Sequence, residues 1–156
     1  MEPLTVPATL EELEVLADFV IQAAKDAGLE KKPAYRLRLA VDEIATNIVT
    51  HGYQEMGLTG DITIYADMDE HSLTITLEDT AVPYNPLEED EVTPEELHRP
   101  LEQRELGGLG IFLTLRGVDR FTYERMANLN RNLFTMRRPL ANPQESQPVR
   151  DAKPQE

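Results

Sequence analysis

A chain of 156 residues, 40% hydrophobic and 28% charged, has the length and balance of one folded domain with a buried core. It contains no cysteine, which excludes disulfides and thiolate metal sites. A net charge of −14 sets it against nucleic acid, whose phosphates attract clustered Lys and Arg. No apolar run approaches the roughly 18 residues of a membrane span. Met1-Glu2-Pro3-Leu4 also lacks the basic-then-apolar order of a signal peptide. The expectation is a cytoplasmic protein with no membrane attachment.

In chain order, Leu4–Val6 reads as a short strand ended by Pro7. A first helix follows, with Thr9 as N-cap and Glu12 three residues on, the spacing of a capping box. Its apolar positions are Leu10, Leu13, Ala17, Val20, Ile21 and Ala24, and Gly28 supplies the stop. After Pro33 a second helix is predicted over 34–50. Its stripe is Leu37, Val41, Ile44 and Ile48, at offsets of four, three and four, and Gly52 ends it. Asp61–Asp67 and Ser72–Asp79 alternate apolar and polar residues and are joined by a short link, which predicts an antiparallel hairpin.

Residues 80–106 then form a long irregular stretch with Pro83, Pro86, Pro94 and Pro100. Segments of this length inside a compact domain are usually functional or disordered. Between Pro86 and Glu105 lie the acids Glu88, Glu89, Asp90, Glu91, Glu95, Glu96, Glu102 and Glu105, against only Arg99 and Arg104. This run is either a solvated loop or a lid facing a partner. A third helix is predicted from Gly110 to Arg116. A second hairpin follows, Asp119–Arg125 and Asn130–Arg137, turning at Ala127-Asn128. The proline-rich tail 139–156 reads as disordered. The fold class is α+β: a two-layer α/β sandwich, with a mixed, mostly antiparallel sheet and helices on one face, in a domain spanning 1–138.

Three groups of residues carry chemistry. Glu43 and Asn47 are four apart on the second helix, so both side chains lie on one face that borders the core. A carboxamide oxygen is a hard ligand suited to Mg²⁺, and a carboxylate can accept a proton from a hydroxyl. The same pair could also simply face solvent. Asp79 ends a strand, where its carboxylate could accept from an exocyclic amine or could open an Asx-turn. Gly107-Gly108-Leu109-Gly110 opens a helix, where backbone N–H groups can approach phosphate, or else serves as a hinge.

Taken in this order and on these elements, the three groups resemble the N, G1 and G2 boxes of the GHKL ATPases, the histidine-kinase-type superfamily. Ala40-Val41-Asp42-Glu43-Ile44-Ala45-Thr46-Asn47 with His51-Gly52-Tyr53 is most similar to the short anti-sigma-factor serine/threonine kinases. Pro83-Tyr84-Asn85-Pro86-Leu87 and Gly107-Gly108-Leu109-Gly110-Ile111 extend that likeness, which spans about Thr9 to Arg138. The resemblance implies ATP and Mg²⁺ as cofactors, with Glu43 as general base and Asn47 as the Mg²⁺ ligand. It implies that Asp79 binds the adenine amino group, and that Gly107, Gly108 and Gly110, with Leu109 and Ile111 between and after them, form the phosphate loop. Ala81 and Pro83 belong to the nucleotide-binding segment, Arg104 would meet the γ-phosphate, and Thr135 would lie under the adenine with Asp79. His51 would either line the phosphate side or hydrogen-bond within the helix end.

One position departs from the pattern: Ala81 stands where the family usually has Gly. A positive φ there would cost Ala about 1 kcal/mol and press the loop into the adenine pocket. The implied activity is transfer of the γ-phosphoryl of ATP to a small anti-anti-sigma (STAS-type) protein, with sequestration of a sigma factor or other regulator. The rival expectation is a partner-sequestering module without kinase activity. The assembly is open, a homodimer among its forms.

Overall fold

The computed structural model describes residues 1–89, 111 and 114–139. Its elements are β1 (Leu4–Pro7), a short 3₁₀ turn (Leu10–Glu12), α1 (Leu13–Asp26), α2 (Lys31–Asn47), a π-helical extension (Ile48–Gln54), β2 (Asp61–Met68) and β3 (Ser72–Asp79). A single helical turn α3 (Pro86–Glu89) and the hairpin β4 (Arg120–Met126) and β5 (Leu129–Arg137) complete it. Ile111, Thr114 and Leu115 are also helical, within the span expected for the third helix.

The strands form one sheet in the order β1-β2-β3-β5-β4, antiparallel at every pairing. Alternation explains its two faces. Ile62 and Ile64, then Leu73, Ile75 and Leu77, then Phe134 and Met136 point into the core, all at most 3% exposed. The other face is polar and is held by side-chain pairs such as Thr5–Thr63 (2.8 Å) and Thr74–Thr135 (3.1 Å). α1 and α2 pack together on the apolar face and share its core. The expected α2 stripe of Leu37, Val41, Ile44 and Ile48 is buried throughout.

Three local expectations are corrected. Thr9 has extended backbone at the first helical turn but makes no side-chain cap, so the capping box does not form. On α1 the buried set is Leu16, Ala17, Phe19, Val20, Ala23 and Ala24, while Leu10 and Ile21 are half exposed. The chain offers two apolar stripes at helical spacing, and the one carrying Phe19 meets the sheet. α2 begins at Lys31, before Pro33, because proline in a first helical turn forfeits only a donor that would have no partner there. Nor does Gly52 stop the helix. The backbone widens into π-type bonds, Glu55 N–H to Thr50 O (2.9 Å) and Leu58 N–H to Tyr53 O (2.8 Å), and ends at Gly57 with φ +69°.

Candidate functional site

The antiparallel register sets Asp79, the last residue of β3, directly opposite Asn130 near the start of β5. Both side chains point to the core face, where the C-terminal end of α2 crosses the sheet. There Ile44, Asn47, Ile48 and Gly52 on the helical side face Asp79, Ala81, Val82, Tyr84, Pro86, Asn130 and Asn132 across a cavity of about 10 Å³. That volume is roughly the room of one water molecule.

Asp79 is 3% exposed and divides the work of its two oxygens. Oδ1 accepts from the Ala81 N–H (2.9 Å) and from Asn130 Nδ2 (2.8 Å). The first of these is an Asx-turn that starts the loop after β3. Oδ2 is buried with no partner. The Asx-turn reading of this residue therefore holds for one oxygen and leaves the other available. Burial pushes the carboxyl above its ordinary range; the Asn130 amide, the Ala81 N–H and the Arg125 charge oppose the shift without cancelling it.

Asn130 is the hub of the loop. Its Nδ2 also reaches Ala81 O (3.0 Å) and Val82 O (3.2 Å), and its Oδ1 accepts from Tyr123 Oη and from Arg125 Nη1 (3.0 Å). Arg125 reaches Ala81 O as well, at 3.2 Å. On the opposite side of the loop, Tyr53 Oη accepts from the Thr80 N–H (3.0 Å) and donates to Asp61 O (3.2 Å), tying the π-helical segment to the strand ends. The chain from Asp79 to Val82 is thus held from both sides by side chains.

Ala81 is 3% exposed and is not among the described residues with positive φ, so the feared backbone strain is absent. Its methyl packs where Gly52 has no side chain: a Cβ built on Gly52 would lie 2.9 Å from the Ala81 Cβ. The extra carbon on one element is matched by its lack on the other.

The remaining predicted residues divide. Asn47 is 7% exposed, lines the cavity and has its Nδ2 buried without a partner. Glu43 lies one turn earlier on α2, half-buried, and does not line the cavity. Pro83 is exposed, and its neighbours Val82 and Tyr84 line the cavity instead. Ile111 is buried in the core. Arg104, Gly107, Gly108, Leu109 and Gly110 lie outside the described residues, as do most of the acidic stretch and residues 140–156. His51 bonds Glu55 through Nδ1 (2.9 Å), as the helix-internal alternative has it.

Thr135 is a correction. It lies opposite Thr74, five residues from Asn130 and on the polar face of β5, so it cannot lie with Asp79. A strand's period of two puts Asn130, Asn132, Phe134 and Met136 on the core face and Thr135 on the other. Reading the sequence missed Asn130 and Asn132, although two amides preceding two large apolar residues at alternate positions were a usable signal.

Comparison with known proteins follows the same outline. Residues 6–138 match the family described as the histidine kinase-like ATPase domain. The serine-protein kinase RsbW of Bacillus mycoides (strain KBAB4) is 29% identical over 111 residues, 70% of this chain and 68% of that protein. Its counterpart in Bacillus cereus (strain B4264) is 30% identical over 112 residues, with the same coverage. Among solved structures, the histidine kinase domain of the Erythrobacter litoralis EL346 blue-light activated histidine kinase aligns with 88% of this chain at 18% identity and a TM-score of 0.48. The chain spans 61% of that domain's length.

Proposed function

From the fact that the chain belongs to the histidine kinase-like ATPase domain family, we propose that it is an ATP-dependent serine/threonine protein kinase of the anti-sigma-factor kind. Its substrate would be a small anti-anti-sigma protein of the STAS type, and the same domain would sequester a sigma factor or another regulator. The observation that carries the reading is the cavity between α2 and the strand ends, into which Asp79 Oδ2 and Asn47 Nδ2 are buried without partners. Buried polar atoms left unpaired in a native fold call for a ligand or ordered water.

In this reading Asp79 Oδ2 accepts from the adenine amino group, while Oδ1 stays committed to the loop and to Asn130, fixing the direction of the free lone pairs. An adenine ring needs more room than about 10 Å³, so entry has to draw Val82, Tyr84 and Pro86 back from Ile48 and Gly52. Mg²⁺ in a kinase is held by one or two protein oxygens together with phosphates, a demand that the Asn47 amide oxygen suits. Its chemistry is to neutralise charge on the transferring phosphoryl group. Glu43, one turn from Asn47, takes the proton of the acceptor hydroxyl. Arg104 and the glycines of 107–110 would hold the phosphates.

The test is phosphoryl transfer from labelled ATP to candidate antagonist proteins. Glu43→Gln keeps shape and hydrogen-bonding reach but removes the proton acceptor, so transfer should fall about 10²–10⁴-fold with ATP affinity little changed. Transfer at the parental rate removes Glu43 from the chemistry. A parent protein that binds ATP and partner yet never transfers phosphate points instead to the sequestering module.

A further inference from the structure

Pairing between β2 and β3 stops at the rung Ile62–Asp79. The next residues in that register, Asp61 and Thr80, are bridged by a side chain from outside the sheet. Tyr53 Oη accepts from the Thr80 N–H (3.0 Å) and donates to Asp61 O (3.2 Å), so one hydroxyl serves a backbone group of each chain. Two such bonds diverging at a hydroxyl hold Thr80 N and Asp61 O roughly 5 Å apart, against about 2.9 Å for a direct rung. The chains are thus kept apart immediately beyond Asp79, and the loop leaves the sheet there. Tyr53 belongs to the π-helical extension that runs on from Asn47, and segments of that kind are frequent at functional sites. It is 2% exposed, and its ring fits against Gly60, where a built Cβ would lie 2.6 Å from Tyr53 Cε1. It does not line the cavity between α2 and the strand ends.

We propose that Tyr53 is a positioning residue for the nucleotide base: its hydroxyl ends the β2–β3 pairing at Asp79 and so fixes the aim of the free Asp79 Oδ2. This inference rests on the ATP reading above. Without the hydroxyl, the Thr80 N–H and Asp61 O are left to bond each other, because an unmade backbone hydrogen bond is costly. That rung extends the ladder by one residue and draws the strand exits together by about 2 Å. Asp79 is the residue next to the new rung, and its carboxylate turns with the backbone. A hydrogen bond keeps its strength over a range of only about 0.5 Å, so a shift of that order breaks the contact with the base.

The experiment compares dissociation constants for ATP and for purine riboside triphosphate, which is ATP without its 6-amino group, in the parent and in Tyr53→Phe. Phe keeps the ring against Gly60 and removes only the hydroxyl. Should Tyr53→Phe fail to fold, Gly60→Ala carries the same comparison, since its methyl displaces the ring and leaves the hydroxyl present. The expected result is a parent that prefers ATP and a variant in which that preference falls about tenfold, the worth of one such hydrogen bond. Binding of the analogue, which offers Asp79 no amine, should change little. A variant with a lower melting temperature and the parental preference overturns the proposal and reduces Tyr53 to a core residue. Equal weakening of both nucleotides overturns it as well. A parent that binds neither nucleotide, or both alike, overturns the reading of Asp79 as the adenine-binding residue, and this inference with it.

Discussion

The contact between Gly52 and Ala81 can be tested in size. A Cβ at Gly52 would sit 2.9 Å from the Ala81 Cβ and 4.0 Å from Ile48 Cγ2. Carbons rest at about 3.5–4.0 Å, so Gly52→Ala falls short at Ala81 alone, by about 0.6 Å or more. Overpacking of this kind costs about 1–3 kcal/mol. Replacing a helical Gly by Ala gains up to about 1 kcal/mol, leaving a net loss on the order of 0–2 kcal/mol. In the Ala81→Gly background the colliding methyl is gone, and Gly52→Ala should then stabilise by roughly 0.5–1 kcal/mol. The substitution changes sign between backgrounds, with a coupling on the order of 1–3 kcal/mol. Urea unfolding of the parent, both single variants and the double variant measures it. The same effect of Gly52→Ala in both backgrounds would refute the packing argument.

Asn47→Ala should weaken Mg-ATP binding at least tenfold, about 1.4 kcal/mol, in a folded protein. The difference should vanish when a chelator removes Mg²⁺, and calorimetry showing equal Mg-ATP affinity would count against Asn47 as the ligand. Asp79 gives a pH signature. Its carboxyl is raised above the ordinary 3.8 chiefly by burial, so the fold favours the protonated acid. That stability is fully present below the unfolded value and is lost as pH rises through the folded one. The melting temperature of Asp79→Asn, which cannot ionise, should therefore gain on the parent as pH rises from about 3.8 and level off above the folded value. A difference that stays constant with pH would show Asp79 to be unperturbed.

How much of this was legible depends on what competes at each position. β2, β3 and the α2 stripe were readable because their apolar residues offer a single face: every Ile and Leu at period two, or at the offsets of α2, lands in the core. α1 was misread because Leu10 and Ile21 advertise a second stripe, and only the sheet decides between them. The end of α2 was misread at Gly52, which looks like a helix stop but makes room for the methyl of Ala81, 29 residues away in sequence. No local pattern records a contact of that kind.

Of the candidate site, Asp79 and Asn47 were singled out from motif and spacing, and both line the cavity. Thr135 was carried over from the family resemblance and lies on the wrong face by periodicity, since Phe134 and Met136 already assign the even positions of β5 to the core. The same periodicity names its replacements. Asn130 and Asn132 are amides in a row of core positions, where burial of an unpaired amide is costly and therefore informative. Asn130 repays that cost inside the protein, through five hydrogen bonds. Asn132 Oδ1 does not, and neither does Asp79 Oδ2 across the strand pair. The cavity therefore sets two unpaired acceptors, Asp79 Oδ2 and Asn132 Oδ1, beside one unpaired donor, Asn47 Nδ2.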